Sequence, residues 1–323
     1  MVSAAGKLFR FIARAAGNVN PVTVEKKKKQ VVKDLRSMEP LFRRYFAPPG
    51  YRFRKEDADG VPMEIFSKKK GGSDKAVLVL HGGAYISRMM FYYRLLNPRY
   101  SRAAGGGTVI HFDYRCAPEH RYPAALEDAE KVWHKLLEMG FKPENIVTSA
   151  DSAGGNLTLQ LLMKLHEKGE KMPKACVLMS PWIDMTASGD SYVYNYKVDP
   201  VFGIKGKTPT REEVRSLLAK SDLYMWFGDA ERTDPYVSPA LAEYDGTYPP
   251  IFVVTGGHEM LLSESETLVE KFRAAGVAAE LYVGEGMFHA YPVYQIFPEA
   301  RRALNEIERF IRRQLGTEKE TKK

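Results

Sequence analysis

Hydrophobic residues along the chain fall into short unbroken runs separated by longer amphipathic stretches. The runs are AVLVL (76–80), GTVIHF (107–112), NIVTS (145–149), ACVLMS (175–180), IFVVTG (251–256) and AELYVG (279–284). They lack apolar–polar alternation, so each reads as a strand covered on both faces. Between them the spacing turns helical. One helix is expected from about Pro123 to Met139, with proline near its start and Gly140 as a stop. A second is expected from Ser263 to Ala275, where Ser263 and Glu266 have capping-box spacing and Gly276 follows. The last covers about Pro298 to Leu315. Strands alternating with helices predict an α/β fold, a mostly parallel central sheet flanked by helices.

Two segments break this rhythm. Residues 1–48 read as helical and basic. Residues 186–245 are rich in aromatics (Tyr192, Tyr194, Tyr196, Tyr224, Trp226, Phe227) and follow a late strand, where a lid can sit over a pocket. The expected division is a helical cap segment at 1–48, a core from 49–185 and 246–323, and a cap insertion at 186–245. In KLFRFIARAAG, Leu8, Phe9, Phe11 and Ile12 oppose Lys7, Arg10 and Arg14. This short basic helix either docks on a membrane surface or folds over the protein's own pocket, and the second is the simpler expectation.

Bulk properties narrow the class. The chain has 323 residues, 44% hydrophobic and 27% charged, an ordinary globular composition. That length suits one large α/β domain with an added cap. No stretch approaches the roughly 18 apolar residues of a membrane span, so none is expected. Cys116 and Cys176 are the two cysteines. They lie in apolar stretches without metal or disulfide spacing, which fits a reducing, cytoplasmic setting. The net charge is +8, with much of the excess in EKKKKQ (25–30) and SKKK (67–70). Neither run is interleaved with aromatics, so no nucleic-acid partner is expected.

The chemistry starts at VTSADSAGG (147–155). Ser152 follows a strand and precedes the apolar helix AGGNLTLQLLMKL, the context of a nucleophile elbow. Such a turn lifts the hydroxyl above the sheet edge and aims the helix N-terminus at it. HGGAY (81–85) follows the strand AVLVL. Its consecutive glycines permit a backbone path that aims N–H groups at one point, as an oxyanion hole requires. Glu259 stands just past the strand IFVVTG, and His289 just past AELYVG. His258 shares the acid's loop but lacks an acid partner of its own. The order Ser152, Glu259, His289, with a glycine-rich loop upstream, is one of the known orders for a serine, acid and histidine triad.

These stretches resemble the hormone-sensitive-lipase-like branch of the α/β-hydrolases, which includes carboxylesterases and acetyl esterases. The likeness is carried by HGGAY (81–85), DYRCAPEHRYPAALED (113–128), DSAGGNL (151–157), SPWID (180–184), HEMLLSES (258–265) and GMFHAYP (286–292), and spans about residues 40–315. There are three departures. Ala84 stands where the family usually has a third glycine, Ala150 where it has the glycine before DSAGG, and Glu259 where aspartate is commoner.

The expected activity is hydrolysis of short-chain acyl esters, acetyl to about hexanoyl, through an acyl-enzyme. Ser152 would be the nucleophile, His289 the base, and Glu259 the acid that holds the imidazole. Gly83, Ala84 and Ala153 would supply the oxyanion N–H groups, with Gly82 a further candidate. Tyr85, Tyr194, Trp226 and Met260 are candidate pocket residues. No metal or organic cofactor is implied. The partner would be a small ester, and the resemblance leaves room for a homodimer at the last strand. Rivals are an amide or acyl-peptide hydrolase and a non-catalytic ligand-binding member of the same fold. Asp113, Arg115, Glu119 and His120 read as a buried polar network bracing the donor loop. Asp151 reads as an anchor for the elbow, and Asp184 and Asp234 as structural.

Overall fold

The computed structural model describes residues 2–16, 47–203, 209–219 and 221–318. Eight strands form one sheet: β1 (Tyr51–Ala58), β2 (Val61–Lys68), β3 (Ala76–Leu80), β4 (Thr108–Phe112), β5 (Ile146–Asp151), β6 (Ala175–Met179), β7 (Ile251–Gly256) and β8 (Ala279–Gly284). Their spatial order is β1-β2-β4-β3-β5-β6-β7-β8. All pairings from β4 to β8 are parallel, while β2 runs antiparallel to both β1 and β4. The six expected runs are the six parallel strands.

Their unbroken apolar character follows from burial on both faces. Val77, Val109, Val147 and Val177 pack with Tyr100, Leu304 and Ile307, whereas Leu78, Ile110 and Leu178 pack with Trp133, Leu157 and Phe272. Successive residues of one strand therefore enter opposite halves of the core. The helices α2 (Asn97–Ala103) and α8 (Pro298–Leu315) cover the first face. The helices α3 (Ala124–Glu138), α4 (Ala153–Glu167) and α7 (Leu262–Ala274) cover the second. The helix expected at 263–275 starts one residue early, and Ser263 does not cap it. Its backbone and hydroxyl instead exchange hydrogen bonds with Ser191, at 2.9 and 3.0 Å.

The hairpin β1–β2 is absent from the expected strands. Its outer member, YRFRKEDA, alternates half-buried with exposed positions and is too charged to read as a buried run. Those charges suit an edge strand, because they discourage pairing with another chain. The turn residues Asp59-Gly60, both at positive φ, were the available hairpin signal.

The order β4-β3-β5 makes β3 the point where successive connections leave in opposite directions. Open α/β sheets leave a crevice at the carboxyl ends of the strands there. The loop after β3 holds HGGAY and the loop after β5 holds Ser152, so both open onto this crevice. Between β6 and β7 the chain makes a long excursion containing α5 (Ser191–Tyr194), α6 (Arg211–Ala219) and 3-10 turns at Asp222–Phe227 and Pro239–Leu241.

The first helix, α1 (Ala4–Ala16), lies against the start of α8. The Ser3 N–H donates to Glu299 Oε1 at 2.7 Å, and Phe9 stacks on Phe297 at 5.0 Å. Gly6 permits the approach, since a Cβ there would stand 2.9 Å from Glu299 Oε2. Contrary to the simpler expectation, α1 contributes no residue to the cavity at Ser152. The rest of the expected 1–48 segment, residues 17–46, lies outside the described residues, as do 204–208 of the expected insertion.

Candidate active site

Ser152 joins β5 directly to α4 with φ +50° and ψ −122°. A residue with a Cβ held there stores about 1–3 kcal/mol of strain, which the surrounding structure must over-determine. The Ser152 N–H donates to the Met179 carbonyl at 2.9 Å, and the Trp182 N–H donates to the Ser152 carbonyl at 3.1 Å. Two glycines make the turn possible. A Cβ on Gly154 would sit 2.1 Å from the Leu80 carbonyl oxygen, and one on Gly155 would sit 2.7 Å from Pro181 Cβ. Strand and helix backbones thus meet at the glycines that follow the serine. Ala150 before it is a buried strand residue in register with Leu80 and Leu178.

The loop after β3 runs through positive φ at Gly83 (117°), Ala84 (54°) and Tyr85 (58°). The N–H groups of Ile86 and Ser87 both donate to the Gly83 carbonyl at 2.9 Å, closing the loop on itself. The Gly82 N–H is occupied, donating to Tyr93 Oη at 2.8 Å and Asp151 Oδ1 at 3.0 Å. That removes Gly82 from the candidate oxyanion donors. Among the described residues, the N–H groups of Gly83, Ala84 and Ala153 donate to none. Burial pushes the Asp151 carboxyl up to about 7, against hydrogen bonds from Tyr93 and Gly82 that pull it down. Asp151 therefore ties the elbow to the donor loop.

His81 anchors the same loop from below. Its Nδ1 lies 2.7 Å from the Gly82 carbonyl, its ring stacks on Tyr114 at 4.1 Å, and Tyr114 Oη donates to the His81 carbonyl. Burial lowers its pKa, outweighing the Asp113 carboxylate 3.8 Å away. The expected bracing network divides in two. Asp113 accepts from the Met89 N–H and pairs with Arg88, which steadies the donor loop. Arg115 instead pairs with Asp128 and Glu127 of α3, and Glu119 and His120 are surface residues.

Glu259 and His289 face each other from the loops after β7 and β8, with Glu259 Oε2 3.8 Å from His289 Nδ1. This is ion-pair range and longer than a hydrogen bond; catalytic contacts often tighten only once substrate is bound. Glu259 is fully buried and accepts hydrogen bonds from Thr255 Oγ1 and, at 2.7 Å, from Ser180 Oγ. Ser180 Oγ also accepts from the Ala290 N–H at 2.9 Å, so one hydroxyl bridges the acid to the histidine loop. Burial pushes the Glu259 carboxyl up to about 8 and pulls the His289 imidazole down to about 3. Both groups are thereby held neutral near pH 7.

A further carboxylate, Asp199, clamps this arrangement. One oxygen accepts from the N–H groups of Val201 and Phe202, the other from the Met260 N–H at 2.7 Å. Asn195 donates to the carbonyls of Gly257 and Glu259. The clamp sets Phe202 edge-on to the His289 ring, 4.8 Å between centroids.

A family model for the alpha/beta hydrolase fold matches residues 77–293, which carry every residue named above as catalytic or as an oxyanion donor. The chain belongs to the α/β-hydrolase family. It is 34% identical to an esterase of Acinetobacter venetianus over 84% of this chain and 86% of that one. It is 30% identical to an acetyl-hydrolase of Streptomyces hygroscopicus, over 75% and 77%. The structure of an esterase from the bacterial hormone-sensitive lipase family superposes with a TM-score of 0.79 at 31% identity, covering 98% of this chain and all of the other. EstE5, a protein soaked with p-nitrophenyl butyrate, superposes at 0.78 with 28% identity, covering 97% and 99%. This places the hydrolase in the hormone-sensitive-lipase-like branch.

In this hydrolase Ser152 and Ala84 open on one apolar cavity of about 40 Å³. Its walls come from Trp182, Tyr192, Phe202, Leu218, Leu223, Tyr224, Met260 and Leu261. Met260 is the one named pocket candidate among them. Tyr194 is exposed, because α5 turns its neighbour Tyr192 inward instead. Tyr85 and Trp226 stack on each other at 4.2 Å and line a separate small cavity with Tyr122 and Gln160. Positive φ at Tyr85 carries its ring into that seam, where Tyr85 Oη donates to Asn156 Oδ1. Sequence reasoning missed Ser180, Asn195, Asp199 and Phe202 as parts of the site. Ser180 lies in the SPWID stretch, which carried the family resemblance and is the signal that could have found it. The other three sit in the excursion, where no local pattern points at the acid loop.

Proposed function

We propose that this hydrolase is a serine carboxylesterase acting on short-chain acyl esters, acetyl to about hexanoyl. One observation carries the reading. A strained serine at a strand–helix elbow shares a small apolar cavity with Ala84, whose backbone N–H is unengaged, and a buried histidine and glutamate face each other beside it. In this reading His289 takes the Ser152 proton as the hydroxyl adds to the ester carbonyl. The N–H groups of Gly83, Ala84 and Ala153 stabilise the oxyanion, and losing one such donor costs about 3 kcal/mol. The alcohol leaves with the proton from His289. Water, deprotonated by the same imidazole, then releases the acid and regenerates Ser152. Glu259 orients the imidazole and stabilises the imidazolium. Residues 186–245 act as the cap, and their Phe202, Leu218, Leu223 and Tyr224 limit the acyl chain to a few carbons.

A ladder of p-nitrophenyl esters on wild type and Ser152→Ala tests this. Wild type should turn over the acetyl to hexanoyl esters, fall away beyond them, and label with a fluorophosphonate. Ser152→Ala should lose about 10⁴-fold or more in kcat and resist labelling. A rate that survives Ser152→Ala, or a preference for long acyl chains, contradicts the proposal. Matched p-nitroanilides measure how far the chemistry extends to amides.

A further inference from the structure

We propose that α1 and the turn beside it dock this protein on an anionic lipid bilayer surface. The helix is amphipathic, yet of its four large apolar side chains only Phe9 packs against the fold. Its inner side is built from Ser3, Gly6 and Phe9, which meet Glu299 and Phe297. Leu8 (58% exposed), Phe11 (70%) and Ile12 face outward. A helix that served only the core would bury that stripe, since packing of the apolar face is what stabilises a surface helix.

The stripe continues onto the body of the protein. Ile296, 62% exposed, precedes the Phe297 ring on which Phe9 stacks. Tyr294 packs near Tyr92, and the Gln295 amide donates to the Leu95 carbonyl, which brings exposed Leu95 onto the same surface. Nine large hydrophobic side chains are widely exposed among the described residues, and six of them sit on α1 and on the segments joined to it through the Phe9–Phe297 stack and the Gln295–Leu95 hydrogen bond. Exposed apolar side chains grouped in this way mark a contact surface.

Charge selects the occupant. Residues 1–24 contain Lys7, Arg10 and Arg14 and no acidic residue. A second copy would bring the same positive helix against this one. An anionic headgroup layer instead complements it, and the apolar side chains enter the acyl boundary. No helix of the described residues is long and apolar enough to cross a membrane. The contact is therefore parallel to the surface.

Co-sedimentation of the full-length protein with vesicles tests this. Vesicles of phosphatidylcholine with about a third phosphatidylserine should bind it at low salt, and pure phosphatidylcholine at least about tenfold less. Binding should weaken as salt rises. The double variant Phe11→Asp/Ile12→Asp should lose at least about tenfold in binding, with its circular dichroism, thermal midpoint and oligomeric state unchanged. Absence of wild-type binding overturns the proposal, as does equal binding by the variant. A fall in the variant's thermal midpoint would assign the stripe to a segment of this chain, and dissociation of a dimer would assign it to a second copy. Either result also overturns it.

Discussion

At the scale of single residues, the two alanines at expected glycine positions are not equivalent. Ala84 sits at φ +54°, where a Cβ is strained, whereas Ala150 is an ordinary strand residue. Ala84→Gly relieves about 1 kcal/mol of backbone strain but frees the unfolded chain by a comparable amount, so its stability should stay within about 1 kcal/mol of wild type. Ala150→Gly gains nothing and should lower stability by about 0.5–1 kcal/mol with the rate unchanged. Denaturant midpoints of the two variants should separate in that order; equal losses would mean that the Ala84 backbone is not strained. Glu259 gives a second test. Its carboxyl is held protonated up to about 8, while His289 stays neutral down to about 3. The imidazolium formed in the proposed mechanism is supported only when Glu259 is ionised. The rate constant kcat/KM for p-nitrophenyl butyrate should rise through about pH 8, and Glu259→Gln should remove the rise. A rise near pH 6.5 that survives in Glu259→Gln would show that His289 titrates normally.

At the scale of elements, the site depends on a segment of the excursion between β6 and β7 that is bonded to the acid loop. Asp199 collects three N–H donors, and two of them belong to Phe202 and Met260, which face the cavity. Asp199→Ala leaves those donors unpaired, at about 1–3 kcal/mol each, and frees Phe202 from His289. A misplacement of about 1 Å in a reacting group costs around 10²-fold. Asp199→Ala should therefore lower kcat by about that factor with KM little changed, and Asp199→Asn should recover part of it. A change confined to KM in steady-state kinetics would show that Asp199 serves substrate binding alone. The elements themselves were largely legible beforehand. The parallel strands announced themselves by unbroken apolar runs, and the helix expected from about Pro298 to Leu315 is α8 with those bounds. The hairpin β1–β2 did not, because one of its strands faces water and reads as charged chain.

At the scale of the whole molecule, buried ionisable groups oppose one another as pH changes. His289 and His111 titrate at about 3 in the folded protein, against 6.5 when unfolded. The unfolded chain binds more protons between those values, so this pair makes stability rise with pH from about 3 to 6.5. Glu259 and Asp151 titrate at about 8 and 7, against 4.5 and 3.8 unfolded. The folded protein holds those protons longer, so this pair makes stability fall from about pH 4 to 8. Buried His81, lowered likewise, adds to the rise and buried Glu264, raised likewise, to the fall, so the slopes oppose each other where they overlap. The thermal midpoint should climb below about pH 4, level off, and fall between about pH 6.5 and 8. Glu259→Gln should flatten the upper fall, and a midpoint rising across that range would contradict the buried-acid account.

The sequence by itself determined the parallel strands and the order Ser152, Glu259, His289, which are written in the burial pattern and the chain order. Of the glycines, Gly83 answers to nearby Ser87, whereas Gly154 and Gly155 are required by Leu80 and Pro181 from other segments. Tertiary structure alone decided which backbone donors stay free, because Gly82 is lost to Asp151 and Tyr93 from distant segments. It decided which aromatics line the cavity, since Tyr192 and Tyr194 differ only in the side of a short helix they occupy. It also turned Leu8, Phe11 and Ile12 of α1 outward and Phe9 inward, through contacts with Glu299 and Phe297 nearly three hundred residues away. Hydrogen bonds and packing between segments far apart in the chain leave no local pattern, so they are read only where the fold brings the segments together.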